Sequence, residues 1–140
     1  MTVSRIDQIA IAVEDLDATL ELFQRAFGLV AQSREVVESD GVEEAMINVN
    51  GVYIQLLQPT RDDSPVGRFL QKNGPGLHHL GFGVADVADT LAHLRDEGIR
   101  LIDEAPRRGG GGHTIAFVHP KSVDGVLVEL VQDDPSHTAH

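Results

Sequence analysis

Apolar and polar positions alternate along this chain in two rounds that follow one plan. Residues 6–13 (IDQIAIAV) alternate with β-branched content and predict a strand. Asp15 then stands where a helix cap belongs. Leu16, Leu20, Phe23 and Phe27 recur at helical spacing, predicting a helix over 16–27 that Gly28 stops. Three more strands are predicted near 30–38, 43–49 and 52–58, before Pro59 and the polar run 60–64 close the round. Residues 66–72 (VGRFLQK) read as a short helical linker closed by NGPG at 73–76. The second round predicts a strand over 77–84 (LHHLGFGV), then a helix over about 87–97 capped by Asp86 and stopped at Gly98. Strands follow near 99–103, 114–119 and 126–132. The last eight residues, DDPSHTAH, are polar and predict a frayed tail whose two histidines are tail rather than ligands.

The rounds also repeat residue by residue. IDQIAIAV answers LHHLGFGV, and VYIQLLQ at 52–58 answers VLVELVQ at 126–132. Gln8 therefore pairs with His79, and Gln55 with Glu129. A duplication that sets four ligand-type side chains at equivalent places implies one site shared by two modules. The expected organisation is a single domain over 1–140, with module 1 at about 5–59, module 2 at about 76–133 and a linker at 60–75.

Composition narrows the classes. Hydrophobic residues at 41% and charged residues at 24% are those of an ordinary globular protein. There is no cysteine, which excludes disulfides, thiolate metal sites and a cysteine nucleophile. No stretch is long and apolar enough to span a bilayer, and the N-terminus lacks a signal-peptide core, so a cytoplasmic protein is expected. A net charge of −11 argues against nucleic acid or an anionic membrane surface as partner. An anionic small molecule would need a local basic patch. Arg107, Arg108 and Lys121 gather much of the positive charge of the second half, although each reads equally well as ordinary surface charge. The glycine run 109–112 offers backbone amides and a flexible lip. It lacks the strand-to-helix context of a phosphate-binding loop.

Three positions invite chemistry. Glu129 is an isolated charge in VLVELV, and a carboxylate in an apolar strand is costly unless paired or metal-bound. Gln55 is its mate in YIQLLQ; it reads as a ligand or as a hydrogen-bonded core amide. His78 and His79 fall on opposite faces of their strand, and His79 is the one that answers Gln8. His79 is thus the candidate ligand and His78 a supporting residue. In GVEEAMI, Glu44 shares a face with Met46, opposite Glu43, Ala45 and Ile47. By themselves both glutamates read as solvated edge-strand charges.

The segments IDQIAIAVEDLDATLELFQRAFG, GVEEAMI, YIQLLQPTRDDSPVGRFLQKNGPGLHHLGFGV, EAPRRGGGG, FVHPK and GVLVELVQ cover nearly the whole chain. In that order they resemble the vicinal oxygen chelate superfamily (glyoxalase, bleomycin resistance, dioxygenase) and, within it, the methylmalonyl-CoA epimerases. The resemblance implies an α+β fold in which two tandem βαβββ modules form an eight-stranded open cup around a divalent cation of the Co, Mn, Ni or Zn class. It implies an isomerase that inverts the α-carbon of methylmalonyl-CoA, or of a close 2-alkylmalonyl-CoA, and a homodimer as its assembly. It puts the catalytic glutamate on Glu44 and makes Glu129 the second base, the carboxylate ligand, or both. Gln8, Gln55, His79 and Glu129 become the metal ligands. Arg107 and Lys121, by their charge, and His113, at the turn after the glycine run, are the candidate contacts to an acyl-CoA.

Two places depart from the family pattern. The usual ligand at position 8 is a histidine after an aspartate, and here the dipeptide is Asp7-Gln8. An amide oxygen is a weaker donor to a transition metal than imidazole, so a retained but weakened site is expected. After the glycine run the family usually has a small or amide residue and then Arg; here it is His113-Thr114. The alternative reading is a non-catalytic or altered-specificity relative that binds an acyl-CoA or another small molecule. Ring-cleaving dioxygenases fit less well because Gln8 removes one of their two histidines. Glyoxalase I fits less well because Gln55 stands where it has Glu.

Overall fold

The computed structural model describes residues 2–133, so the tail from 134 onward lies outside the described residues. These form two compact units: one of residues 9–78, the other joining residues 2–8 to 79–133. Among the described residues there are eight strands and three α-helices, the α+β class that the resemblance implies. No helix among them is long and apolar enough to cross a membrane.

In the unit of residues 9–78, the second half of β1 (Val3–Ala12) is followed by α1 (Leu16–Phe27), β2 (Ser33–Val37), β3 (Val42–Val49), β4 (Val52–Pro59) and α2 (Pro65–Asn73). The helix bounds follow from local chemistry. Asp15 accepts from the Ala18 amide, and Gly28 ends the helix in the left-handed conformation at φ 68°. The sheet order is β2-β3-β4-β1, with β3 antiparallel to both β2 and β4. Ala45, Ile47 and Leu56 pack with Leu16 against α1, whereas Val42 and Leu57 pack with Val66 of α2.

In the other unit, the first residues of β1 lie with β5 (Gly76–Val84), α3 (Val87–Asp96), β6 (Arg107–Arg108), β7 (Thr114–Val118) and β8 (Val128–Gln132). The order is β1-β5-β8-β7-β6, with β5 parallel to β8 and β7 antiparallel to it. Asp86 caps α3 through the Asp89 amide. Val84, Val87, Leu91, Ala116, Val118, Val128 and Leu130 make the core under α3. Alternation therefore turns His79, Gly81, Phe117 and Glu129 to the face of the sheet away from α3.

One expected strand does not form. Residues 99–103 make a single bridge, Leu101 to Val118, and the strand on that side of β7 is the two-residue β6. The segment does run beside β7: the Ile102 and Asp103 amides donate to Phe117 O, and His119 N–H donates to Arg100 O. The ladder stops because the Asp103 carboxylate takes the Phe117 amide, at 2.8 Å. A side chain has replaced the backbone partner that a strand needs.

The repeat also closes each helix onto its sheet. The last glutamine of VYIQLLQ, Gln58, accepts from the Leu16 amide at 2.6 Å. Its counterpart Gln132 accepts from the Val87 amide at 3.0 Å. Each satisfies an amide in the first helical turn that has no partner inside its helix.

Candidate active site

Gln8, His79 and Glu129 meet on the face of the sheet away from α3. Gln8 and His79 are buried, at 3% and 7% exposure, and Glu129 is half-buried. The Gln8 amide nitrogen donates to Glu129 Oε1. His79 Nε2 lies 3.3 Å from Gln8 Nε2 and 3.6 Å from Glu129 Oε1. With its proton on Nδ1, the His79 ring accepts from the Gln8 amide through Nε2, the same lone pair that a bound cation would take. Register explains the meeting. Gly81 is the neighbour of Glu129 in the parallel pair, and His79 sits two residues earlier on the same face.

Gly81 is part of this arrangement. A Cβ on it would fall onto the Gln8 amide, so the absence of a side chain at 81 makes the space that Gln8 fills. In the repeat the equivalent residue is Ala10, which is fully buried. Asp7, next in chain to Gln8, is also fully buried and is held by Arg5 Nη1 at 2.7 Å. Arg5 Nε reaches Asp133 Oδ1 at 2.9 Å, and the Ser4 hydroxyl donates to Gly83 O and Asp133. The start of β1 is thereby pinned beside the end of β8, which fixes Gln8 along its strand.

The other unit carries the second pair. Gln55 Nε2 donates to Glu44 Oε1 at 3.2 Å. Gln55 is cross-strand from Met46, so Glu44, Met46 and Gln55 share a face. The neighbouring glutamate has a different task. Glu43 binds Arg34 at 3.0 Å, and Arg34 binds Asp17 of α1 at 2.7 Å. The hydrogen bond to Asp17, and then those to Glu43, hold the guanidinium above its ordinary pKa. The pair Glu43-Glu44 thus divides into a surface ion-pair residue and one whose carboxylate meets an amide. His78 packs its ring edge-on against Phe69, 5.0 Å between centroids.

Gln8 Oε1 and Gln55 Oε1 are buried oxygens with no hydrogen-bond partner among the described residues. An unsatisfied buried acceptor costs about 1–3 kcal/mol. Both belong to the residues that the repeat pairs with His79 and Glu129, and amide oxygens are accepted donors to hard or borderline cations. Among the described residues no three His, Asp or Glu side chains cluster tightly enough to hold a metal by themselves. Within the unit that holds Gln8, His79 and Glu129, a cation would need an amide oxygen besides the imidazole and the carboxylate, and Gln8 is the residue there that offers one.

The expected substrate contacts do not gather at one place. Arg107 lies on β6 with its guanidinium 5.6 Å from the centroid of Phe117 and its Nε 3.3 Å from Asp103. His113 immediately precedes β7 and sits against Gly111, whereas Lys121 follows β7 in a short turn, so the two stand at opposite ends of that strand. Arg108 donates to Gly112 O within the glycine loop. Phe117 and Gly81 carry no signal as site residues in the sequence, because only cross-strand register brings them to Glu129.

A profile of the Glyoxalase/Bleomycin resistance protein/Dioxygenase superfamily matches residues 7–117. The chain is 36% identical to the mitochondrial methylmalonyl-CoA epimerase of Dictyostelium discoideum, covering 91% of this chain and 78% of that one. It is 33% identical to the ethylmalonyl-CoA/methylmalonyl-CoA epimerase of Cereibacter sphaeroides, covering 93% and 98%. Among solved structures, a variant of Streptomyces coelicolor methylmalonyl-CoA epimerase in complex with 2-nitronate-propionyl-CoA is 48% identical. It superposes with a TM-score of 0.91 over 96% of this chain and 97% of that one.

Proposed function

Since the chain belongs to the Glyoxalase/Bleomycin resistance protein/Dioxygenase superfamily and, within it, sides with the methylmalonyl-CoA epimerases, we propose that it inverts the α-carbon of methylmalonyl-CoA or a close 2-alkylmalonyl-CoA. One glutamate, Glu44 or Glu129, takes the α-proton as a carboxylate. The C–H electron pair moves to the thioester oxygen as an enolate. The other glutamate, protonated, returns a proton to the opposite face of the planar carbon, so the two exchange protonation states at each turnover. Gln8, Gln55, His79 and Glu129 would hold a divalent cation of the Co, Mn, Ni or Zn class, whose contribution when bound is Lewis-acid stabilisation of the enolate oxygen. Arg107, His113 and Lys121 are assigned to the anionic groups of the acyl-CoA. A cytoplasmic homodimer completes the reading.

The observation that carries this proposal is the buried meeting of Gln8, His79 and Glu129, with an amide oxygen of Gln8 that nothing in the described chain satisfies. It supports reading Gln8 as a weaker ligand rather than a lost one, with its amide turned so that the oxygen replaces the nitrogen beside His79 and Glu129. The direct test is a single epimer of methylmalonyl-CoA in deuterated water with divalent metal supplied. Deuterium should enter the α-position, and no incorporation above background would sink the proposal. Gln8→His should tighten metal binding by on the order of one to a few kcal/mol, read by calorimetry. Unchanged affinity would remove residue 8 from the ligand set.

A further inference from the structure

Phe117 is placed where two assignments converge. It is directly cross-strand from Glu129 in the β7–β8 pair, so both point from the same face. The His79 ring meets the Phe117 ring edge-on, 5.5 Å between centroids and 87° between planes. The Arg107 guanidinium stands 5.6 Å from the same ring's centroid. Phe117 is itself held from both backbone sides: Ile102 and Asp103 amides donate to its carbonyl, and its own amide donates to Asp103 Oδ2 at 2.8 Å. The other oxygen of that carboxylate takes Arg107 Nε. One aspartate thus secures both the ring's backbone and the cation beside the ring, and it is the same aspartate that keeps residues 99–103 from becoming a strand.

We propose that Phe117 is a positioning residue that sets the His79 imidazole and the Arg107 guanidinium from one aromatic ring, with Asp103 as its anchor. The proposal rests on the reading of His79 as a cation ligand and Arg107 as an acyl-CoA contact. The near-perpendicular contact between the two rings restrains rotation of the imidazole and so the direction of Nε2. The same ring and the Asp103 carboxylate help to restrain the long Arg107 side chain, so less entropy is lost when an anionic group of the ligand binds to it. Cation binding and substrate binding are then linked through a residue that performs neither.

The experiment compares three variants of the whole chain. Phe117→Leu keeps apolar bulk and removes the ring. It should weaken Co(II) binding about tenfold by calorimetry and raise KM for methylmalonyl-CoA severalfold at saturating metal. Phe117→Tyr keeps the ring and should restore both. Asp103→Asn removes the ion pair with Arg107 and retains an acceptor for the Phe117 amide, so KM should rise while Co(II) affinity stays within twofold. Co(II) affinity and KM both unchanged in Phe117→Leu would overturn the proposal, and so would failure of Phe117→Tyr to restore them. If Phe117→Leu does not fold, nuclear Overhauser contacts in the unmodified protein decide. Phe117 ring protons must see both the His79 ring and the Arg107 side chain, and absence of either contact overturns it. A protein that binds Co(II) through His79 but shows no exchange would defeat the epimerase reading while leaving the Phe117–His79 part standing or falling on its own measurement.

Discussion

The unit of residues 9–78 and the unit joining residues 2–8 to 79–133 come from one repeated pattern, yet they use their polar side chains in different ways. Where the repeat is identical, the task is the same: Gln58 and Gln132 each accept from the first amide of their own unit's helix. Where the repeat differs, the chemistry divides. The first unit sets an amide against a carboxylate, Gln55 to Glu44. The second collects an imidazole, a carboxylate, an amide, an aromatic ring and a guanidinium around β7 and β8. Even the amide there, Gln8, comes from the first repeat by way of β1. The paired strands differ as well. The first unit has β3 and β4 of eight residues each, while the second replaces part of its ladder with the Asp103 contact and the glycine loop. The repeat keeps the helix-capping hydrogen bonds in both units and differs at the equivalent polar positions.

The largest expected effect separates the two carboxylates. Glu129→Gln should cut α-proton exchange by on the order of 10²–10⁴-fold and weaken metal binding. Glu44→Gln should cut exchange comparably yet leave metal affinity within about twofold. Equal metal loss in both variants, measured by calorimetry, would erase the distinction drawn between the units. Next come the equivalent positions 81 and 10. Gly81→Ala should displace the Gln8 amide and cost about 1–3 kcal/mol in urea unfolding. Ala10→Gly should cost only about 0.5–1 kcal/mol. Equal costs would show that Gln8 does not need the space.

The identical positions give a smaller, matched pair. Gln58→Ala and Gln132→Ala should each destabilise by about 1 kcal/mol, and by the same amount within about 0.5 kcal/mol. A twofold disparity in unfolding free energy would mean the caps are not equivalent. The smallest effect is at His119, whose Nδ1 accepts from the Lys121 amide at 3.1 Å. Partial burial, then the charges of Arg100 and Lys121, lower its pKa from 6.5. A depressed histidine favours folding when neutral. Its contribution is present above the unfolded value and is lost as pH falls toward the folded one. An NMR titration placing His119 at or above 6.5 would contradict this environment.

Much of this was legible in the residues themselves. The helix expected over 16–27 forms over Leu16–Phe27 because its spacing, its Asp15 cap and its Gly28 stop are all local signals. The linker expected at 66–72 lies inside α2 for the same reason, with Ser64 as its cap. Alignment of the repeat alone pairs Gln8 with His79 and Gln55 with Glu129. What could not be read was anything that depends on register between distant strands. Residues 99–103 alternate like a strand, but a carboxylate at 103 competes for the very amide a ladder would use. Phe117 is one more apolar residue of β7 by sequence, and only its neighbours across the sheet distinguish it. The ion pairs that hold Glu43, through Arg34 to Asp17, are likewise not legible, because those partners are brought in from β2 and α1.

The empty Cβ position at Gly81 has a consequence for how this protein can change. Because the Gln8 amide occupies it, residues 8 and 81 are epistatic. Any side chain at 81 meets a buried, hydrogen-bonded neighbour unless residue 8 has already altered. Routes that shorten residue 8 are open at once, while routes that enlarge residue 81 must wait for such a step. The order of substitutions, and not only their sum, is therefore constrained, and a library that randomises either position alone would miss the sequences reachable only through both.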